Sequence, residues 1–477
     1  MTTTGTDSGG RGQHPLPTVE FEAAALFDRP GPGRDAAPQA RPGARRLVAA
    51  LAGRGVAVRV AVPGGAGADS GADDLAADLA AAGISPEHVS FAGPDRERTP
   101  SDRTLVVTAD DRPVHRVVLE ALTDLVGAFR AAAQLTGALD RVATGEAAQH
   151  HLRLTKPPGS LGRLETVGVQ LAGIASAMPP PLPRPAAVAV FAGDHGVHRQ
   201  GVSPWPQEVT AQMVANFLGG GAAINVLARQ SGAEVVVVDV GVAGELPDAP
   251  GLLARKVRAG TGDLAVGPAM AIDDASRALD VGAEVATTLV DGGARCLVTG
   301  DMGIANTTPS AALIAALTDR PAPAVTGRGT GIDDAMLRRK TALVAAAASR
   351  ARQLHGDDAL AILAEIGGLE HAALAGFVVG GAALHVPVVI DGVIAASALL
   401  VASRLVPGVE RAVIAGHRSV EPGASAVLGT LGLDPMVDLG IRLGEGSGAA
   451  LALPLLEAAA RVLAEMATFD QVGVTGK

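Results

Sequence analysis

The chain has 477 residues, 48% of them hydrophobic and only 2% aromatic, with no tyrosine; 39 basic against 49 acidic residues give a net charge of −10. An acidic chain almost without aromatic side chains for base stacking excludes a nucleic-acid binder. A single cysteine, Cys296, excludes an intramolecular disulfide framework and any multi-cysteine metal site. The length suits two or three domains, with cores built from Ala, Val, Leu and Ile and 61 glycines allowing close packing. No uninterrupted apolar span of membrane length and no apolar signal core stands out, so the expectation is a cytoplasmic protein with no membrane partner.

Residues 1–17 are polar and glycine-rich and read as a disordered tail. Residues 18–133 read as an appended small α/β domain, with strands at Val56–Val62 and Thr104–Thr108, helices at Gly43–Arg54 and Val114–Ala133, and a loop at Pro63–Asp74. The order Leu26-Phe27-Asp28, helix, strand resembles a haloacid-dehalogenase-like domain. Arg29 and Pro30 follow Asp28, however, so the Asp-x-Asp pair is missing and the resemblance implies a degenerate unit without phosphatase chemistry. Leu135–Leu154 reads as one helix, stopped by Pro157 and Pro158; Ser160 is placed to cap the next, through Val167–Met178, before a stiff proline linker at Pro179–Pro185.

A recurring design then begins. Ala186–Ala192, Glu234–Val240, Arg295–Thr299, Val386–Ile390 and Arg411–Ala415 are short apolar runs ending on glycine and a polar residue: Asp194-His195, Asp239, Asp301, Asp391 and His417. Helical stretches such as Thr210–Gln230 and Lys340–Gly356 separate them. The alternation predicts a parallel sheet covered by helices on both faces, whose carboxyl-end loops gather polar residues around a ligand.

Gly300-Asp301-Met302-Gly303-Ile304-Ala305-Asn306-Thr307-Thr308-Pro309-Ser310 follows a strand and opens a helix at Ala311–Leu317. Small residues expose backbone N–H groups, and Asn306, Thr307 and Thr308 add neutral donors, which suits a phosphate cradle without a Walker lysine. The alternative is an Asn/Thr-capped helix after a tight turn. Asp301 beside a phosphate would be repulsive and is better placed toward a sugar hydroxyl or a base. Asp194, His195 and His198 could ligate a metal or simply bond loop backbone; no further ligand cluster supports the metal. Trp205 is either a flat wall for an aromatic ligand or a packed loop residue. Arg338, Arg339 and Lys340 either neutralise phosphate or form a solvated helix face. Near the end, Arg442-Leu443-Gly444-Glu445-Gly446-Ser447-Gly448 sets one carboxylate between glycines before an apolar run. Alone, it reads as a solvated loop with Ser447 capping the last helix sooner than as a site residue facing a ligand.

Taken together and in order, Lys156–Glu165 (KPPGSLGRLE), Gly193–Gly196 (GDHG), Gly267–Met270 (GPAM), Gly300–Pro309 and Arg442–Ala450 (RLGEGSGAA) resemble the nicotinate-nucleotide–dimethylbenzimidazole phosphoribosyltransferases of cobalamin biosynthesis, over roughly 134–470. The resemblance implies an α/β fold with a small helical domain and linker at 134–185, a Rossmann-like parallel transferase domain at 186–448 and a C-terminal helix at 449–477 completing the small domain. It implies a homodimer acting on nicotinate mononucleotide and 5,6-dimethylbenzimidazole, with no metal and no cofactor. Glu445 stands where the family has its general base. Asp301 stands where relatives commonly carry a second catalytic carboxylate as Glu. Gly303, Asn306, Thr307, Thr308 and Lys340 match the phosphoribose-binding positions. The base is expected near Trp205, Met213 and Met302. A related transferase using another base, or a catalytically silent nucleotide-binding homologue, are the competing readings.

Overall fold

The computed structural model describes residues 114–474 without a break and, before them, 18–22, 26–28, 39–40, 44–53, 58–61 and parts of 76–107. The tail expected at 1–17 and the loop expected at 63–74 lie outside the described residues. Ahead of the transferase-like segment, β1 (Thr18–Glu22), β4 (Val58–Ala61), β5 (Ser90–Ala92) and β6 (Thr104–Val107) form a parallel sheet in the order β5-β4-β1-β6. The sequence reading had missed β1. Asp28 lies outside this sheet, where β2 (Phe27–Asp28) pairs antiparallel with β3 (Gln39–Ala40).

The apolar runs of the second half form a six-stranded parallel sheet, order β12-β11-β10-β7-β8-β9. Its strands are β7 (Ala186–Gly193), β8 (Ala233–Gly241), β9 (Leu252–Ala254), β10 (Cys296–Met302), β11 (Val388–Ile390) and β12 (Val413–Ala415). Every residue of β7 is buried, as continuous apolar strands covered on both faces should be. From β7 the chain moves to β8 and β9 on one side; β10, β11 and β12 lie on the other. The order therefore reverses between β7 and β10, the point at which parallel α/β sheets gather their ligands. Cys296–Met302 lies opposite Ala186–Ala192 in register, which brings Asp301 level with the end of β7.

On one face the helices Ile272–Asp291 and Leu369–Ala383 cross closely. Gly282 there faces the carbonyl of Ala373, and Gly376 that of Leu279, with no room for a β-carbon at either glycine. On the other face the last helix, Ser447–Glu465, packs on Arg163–Ala175 and Ala223–Ser231. By length and composition alone, this last helix and the stretch Val209–Ser231 could each cross a membrane, which the linear reading passed over. The stretch is two helices, Val209–Leu218 and Ala223–Ser231, separated at Gly219–Gly221.

Several expected boundaries shift for local reasons. The single helix expected at Leu135–Leu154 is interrupted: Ala128–Leu135 ends, and Arg141–Arg153 restarts behind Asp140, whose carboxylate accepts from the N–H groups of Val142 and Ala143. Ser160 does not cap the next helix, Arg163–Ala175; Gly162 takes that position. Glu165 instead accepts from Leu161 N–H at 3.0 Å and pairs with Lys156 at 2.8 Å, so the KPPGSLGRLE segment is closed by its first and last residues. The helix Ala128–Leu135 straddles the boundary expected at 133–134. It packs on Ile272–Asp291 and Leu369–Ala383, and Phe129 N–H donates to Asp280 at 2.8 Å. The leading layer is also tied on by Arg46, which donates to the Ile174 carbonyl at 2.7 Å, and by the Arg45–Asp140 pair at 2.9 Å.

Candidate active site

The glycines around Glu445 set its geometry. Gly444, Glu445 and Gly446 have φ of 83°, 65° and 94°. Three successive residues in the left-handed region are tolerable because two lack a β-carbon, and a non-glycine there is strained unless its surroundings hold it. Asp391, just beyond β11, supplies that hold. Its carboxylate accepts from Gly446 N–H at 3.3 Å and from Ala449 N–H at 2.9 Å, so it caps the last helix from across the sheet. Ser447, expected as the cap, makes no capping bond; it is the first helical residue, with its hydroxyl buried. His417 reaches the same Asp391 at 3.3 Å and fills the space a side chain at position 448 would need. Gly300 is equally required: a β-carbon there would lie 2.5 Å from the Glu445 carbonyl oxygen.

The Glu445 side chain is buried and accepts one bond, from Ile224 N–H at 3.3 Å. Burial raises its pKa above the ordinary carboxylate value; the Ile224 bond opposes this and the charge of Asp391 adds to it. Asp301 lies close by, its carboxylate 3.4 Å from the β-position of Gly444. Burial pushes its pKa well up, reinforced by Asp391 and Glu370 and by Glu445, against one hydrogen bond from Asn306 at 3.0 Å. Among the described residues no cation offsets either group, and two carboxylates of raised pKa meet at the strand-order reversal.

The turn after β10 is the other half. Gly303 packs on the Gly193 carbonyl and the His195 ring, and Ile304 N–H donates to Thr210 Oγ1 at 3.1 Å. Lys340 is 1% exposed, donating to Thr307 Oγ1 at 2.7 Å and to the Gly327 carbonyl at 3.1 Å. Burial lowers its pKa to about 8, with Glu421 opposing. Glu421 accepts from Gly329 N–H at 2.7 Å, and Arg442 donates to the Gly329 carbonyl at 2.7 Å, so the glycine loop 327–331 lies between the phosphate-turn side and the RLGEG segment.

Of the expected site residues, Glu445, Asp301, Gly303, Asn306, Thr307 and Lys340 converge here. Asn306 spends its amide on Asp301, because a buried carboxylate takes the nearest donor, and the Thr308 side chain is buried at 0% exposure with its hydroxyl unpaired. Met213 and Met302 share one apolar cluster. Trp205 is 50% exposed on its loop and does not join them. His195 pairs with Glu370, and His198 with the Trp205 carbonyl. The sequence reading missed Glu370, His371, Glu421 and the capping role of Asp391. The first two carried a signal, since they are charged and polar residues opening an otherwise apolar helix, LEHAALAGFVVGGAA.

The profile of the phosphoribosyltransferase family matches residues 136–474. The chain belongs to this family. It is 56% identical over 355 residues to the nicotinate-nucleotide–dimethylbenzimidazole phosphoribosyltransferase of Salinispora tropica, a match covering 72% of this chain and 97% of that one. The enzyme of the same name from Chloroflexus aggregans is 54% identical over 344 residues, covering 72% and 96%. A crystal structure of the Thermus thermophilus enzyme of that name superimposes with a TM-score of 0.68 at 49% identity, covering 71% of this chain and 100% of the other. The family match thus begins after the leading layer, and every converging residue above falls within it.

Proposed function

We propose that this phosphoribosyltransferase moves phosphoribose from nicotinate mononucleotide to 5,6-dimethylbenzimidazole, giving α-ribazole 5′-phosphate and nicotinate for the nucleotide loop of cobalamin. The observation that carries the mechanism is Glu445: a buried carboxylate at the strand-order reversal, with no cation beside it among the described residues and its pKa raised. Nicotinate mononucleotide carries a cationic pyridinium, so its leaving group needs no general acid. The unprotonated nitrogen of the base attacks the anomeric carbon from the opposite face as the C–N bond to nicotinate breaks, inverting β to α. The other ring nitrogen then becomes acidic and loses its proton to Glu445. A base of this kind typically contributes ~10²–10⁴-fold.

Asp301 has its second oxygen unpaired and buried, which suits a hydrogen bond to a ribose hydroxyl. The backbone of 303–308, with Thr307 and Lys340, would hold the phosphate. Lys340, poised near pH 8 without ligand, would be driven toward its charged form by a phosphate dianion. Met213 and Met302 offer an adaptable apolar surface to the base. The reading includes a cytoplasmic homodimer, whose mass light scattering would report. It keeps a small helical unit formed by residues 134–185 and the last helix, supported by the packing of Ser447–Glu465 on Arg163–Ala175. The test is direct. Purified protein given both substrates should release nicotinate and form one new α-nucleotide, followed by chromatography; no release overturns the reading.

A further inference from the structure

Behind the phosphate turn lies a charged cluster that the reaction above does not use. Glu370 and His371 begin the wholly buried helix Leu369–Ala383, and both are 0% exposed. One oxygen of Glu370 lies 2.8 Å from His195 Nε2 and 2.7 Å from His371 Nδ1. The other ring nitrogen of His371 lies 2.8 Å from Ser310 Oγ, which donates to the Asn306 carbonyl at 2.9 Å. Asn306 in turn donates its amide to Asp301 at 3.0 Å. A continuous set of contacts therefore runs from the loop after β7, through Glu370, to the turn after β10.

Glycines press the cluster shut. A β-carbon at Gly303 would lie 3.2 Å from His195 Nε2, one at Gly193 3.2 Å from Glu370 Oε2, and one at Gly368 2.5 Å from His195 Cε1. A carboxylate buried to this degree is costly unless paired, and two imidazoles pair it. The two loops it joins leave the neighbouring strands on either side of the strand-order reversal. We infer that Glu370, bridging His195 and His371, is a positioning residue that locks the loop after β7 to the phosphate turn and so sets affinity for the phosphoribosyl donor rather than for the acceptor base.

The inference rests on 303–308 being the phosphate turn. Its electrostatics agree with the geometry. Burial would strip the proton from His195, but Glu370 outweighs it with help from Asp194, so the imidazole keeps its proton above the usual range. The titratable groups facing this ring are Asp194 on its own loop and Glu370 and His371 on the helix; Glu370 in turn faces Asp301 on β10. An imidazolium packed behind Gly303 adds positive potential where a phosphate would dock. Without the Glu370 charge, His195 deprotonates at lower pH.

Calorimetric titration of nicotinate mononucleotide into the full-length protein tests this without turnover. Glu370→Gln should bind the mononucleotide about 10-fold more weakly. Its KM for the nucleotide should rise in step while the KM for dimethylbenzimidazole stays unchanged, and loss of nucleotide affinity should begin at lower pH than in the wild type. Glu370→Asp should recover part of the affinity. Ser310→Ala removes only the hydroxyl between His371 and Asn306 and should cost about 3-fold; it decides the matter if Glu370→Gln does not fold. Unchanged nucleotide affinity in folded Glu370→Gln or Ser310→Ala, or equal losses toward both substrates, overturns the inference. A wild-type protein that binds the mononucleotide but releases no nicotinate sinks the transferase reading while the binding comparison still decides this one. Wild-type protein that does not bind it overturns both.

Discussion

Glu445 and Glu370 are buried glutamates that both bear on Asp301, and their surroundings treat them oppositely. Glu445 sits on a glycine-flanked loop and accepts one backbone N–H; burial raises its pKa and the charge of Asp391 adds to the rise. Glu370 is more deeply buried, yet His195 and His371 more than cancel that burial and hold its carboxyl well below the usual range. The same side chain thus has its proton affinity raised in one place and lowered in the other. Burial alone does not decide the role; the presence of a paired cation does. The means of support differ in the same way. Glu445 is placed by backbone, three residues of positive φ clamped by Asp391, whereas the turn after β10 is placed by side chains linked from Glu370 to Asp301.

The most severe test of this contrast is Glu445→Gln. It should lose ~10²–10⁴-fold in turnover while the Kd for nicotinate mononucleotide stays within about 2-fold. Near-normal turnover would remove Glu445 from the base role and leave both glutamates structural. Next, Lys340→Met should reduce kcat/KM for the nucleotide by roughly 10–100-fold through its KM, since a charged hydrogen-bond donor is lost at the phosphate end; a loss confined to kcat would place Lys340 at the base end instead.

The pH dependence follows from the opposite shifts. A base must be deprotonated to act, and the Glu445 pKa is raised, so the acid limb of kcat should lie above the ordinary carboxylate value of 4.5, falling about tenfold per pH unit below it. A limb at or below the ordinary value would contradict the burial argument. The smallest expected effect is on stability. The Asp301 pKa is raised in the folded state, so the stability it contributes is present below its unfolded pKa near 3.8 and is lost as pH rises through the folded value. Asp301→Asn, which cannot ionise, should therefore gain about 1–2 °C in Tm over the wild type at pH 8 and nothing at pH 4. Equal Tm differences at both pH values would show that ionisation of Asp301 is not what costs stability.

Much of this was legible in the chain itself. Apolar runs closing on glycine and a polar residue marked the strands of the large sheet, because continuous burial leaves no alternation to read. The polar residues that end them, Asp194, Asp301, Asp391 and His417, do gather at one edge. Glycines at 300, 303, 444 and 446 marked close backbone approach without showing what approached. Helix interruptions were legible in retrospect, since Gly219–Gly221 is a run of three glycines and Asp140 is an N-cap residue type, yet each lies between stretches that both favour helix.

What the sequence by itself determined was the parallel α/β architecture and the ordered motifs that place the chain in its family, because both rest on short-range patterns of apolar spacing, glycine and chain order. Only the tertiary structure decided who pairs with whom. It gave the cap of the last helix to Asp391 rather than Ser447, turned the Asn306 amide onto Asp301, and set two histidines around Glu370 and none around Glu445. These pairings join residues far apart in the chain, and the shifts they cause depend on burial and on which charges share it, which no local pattern encodes.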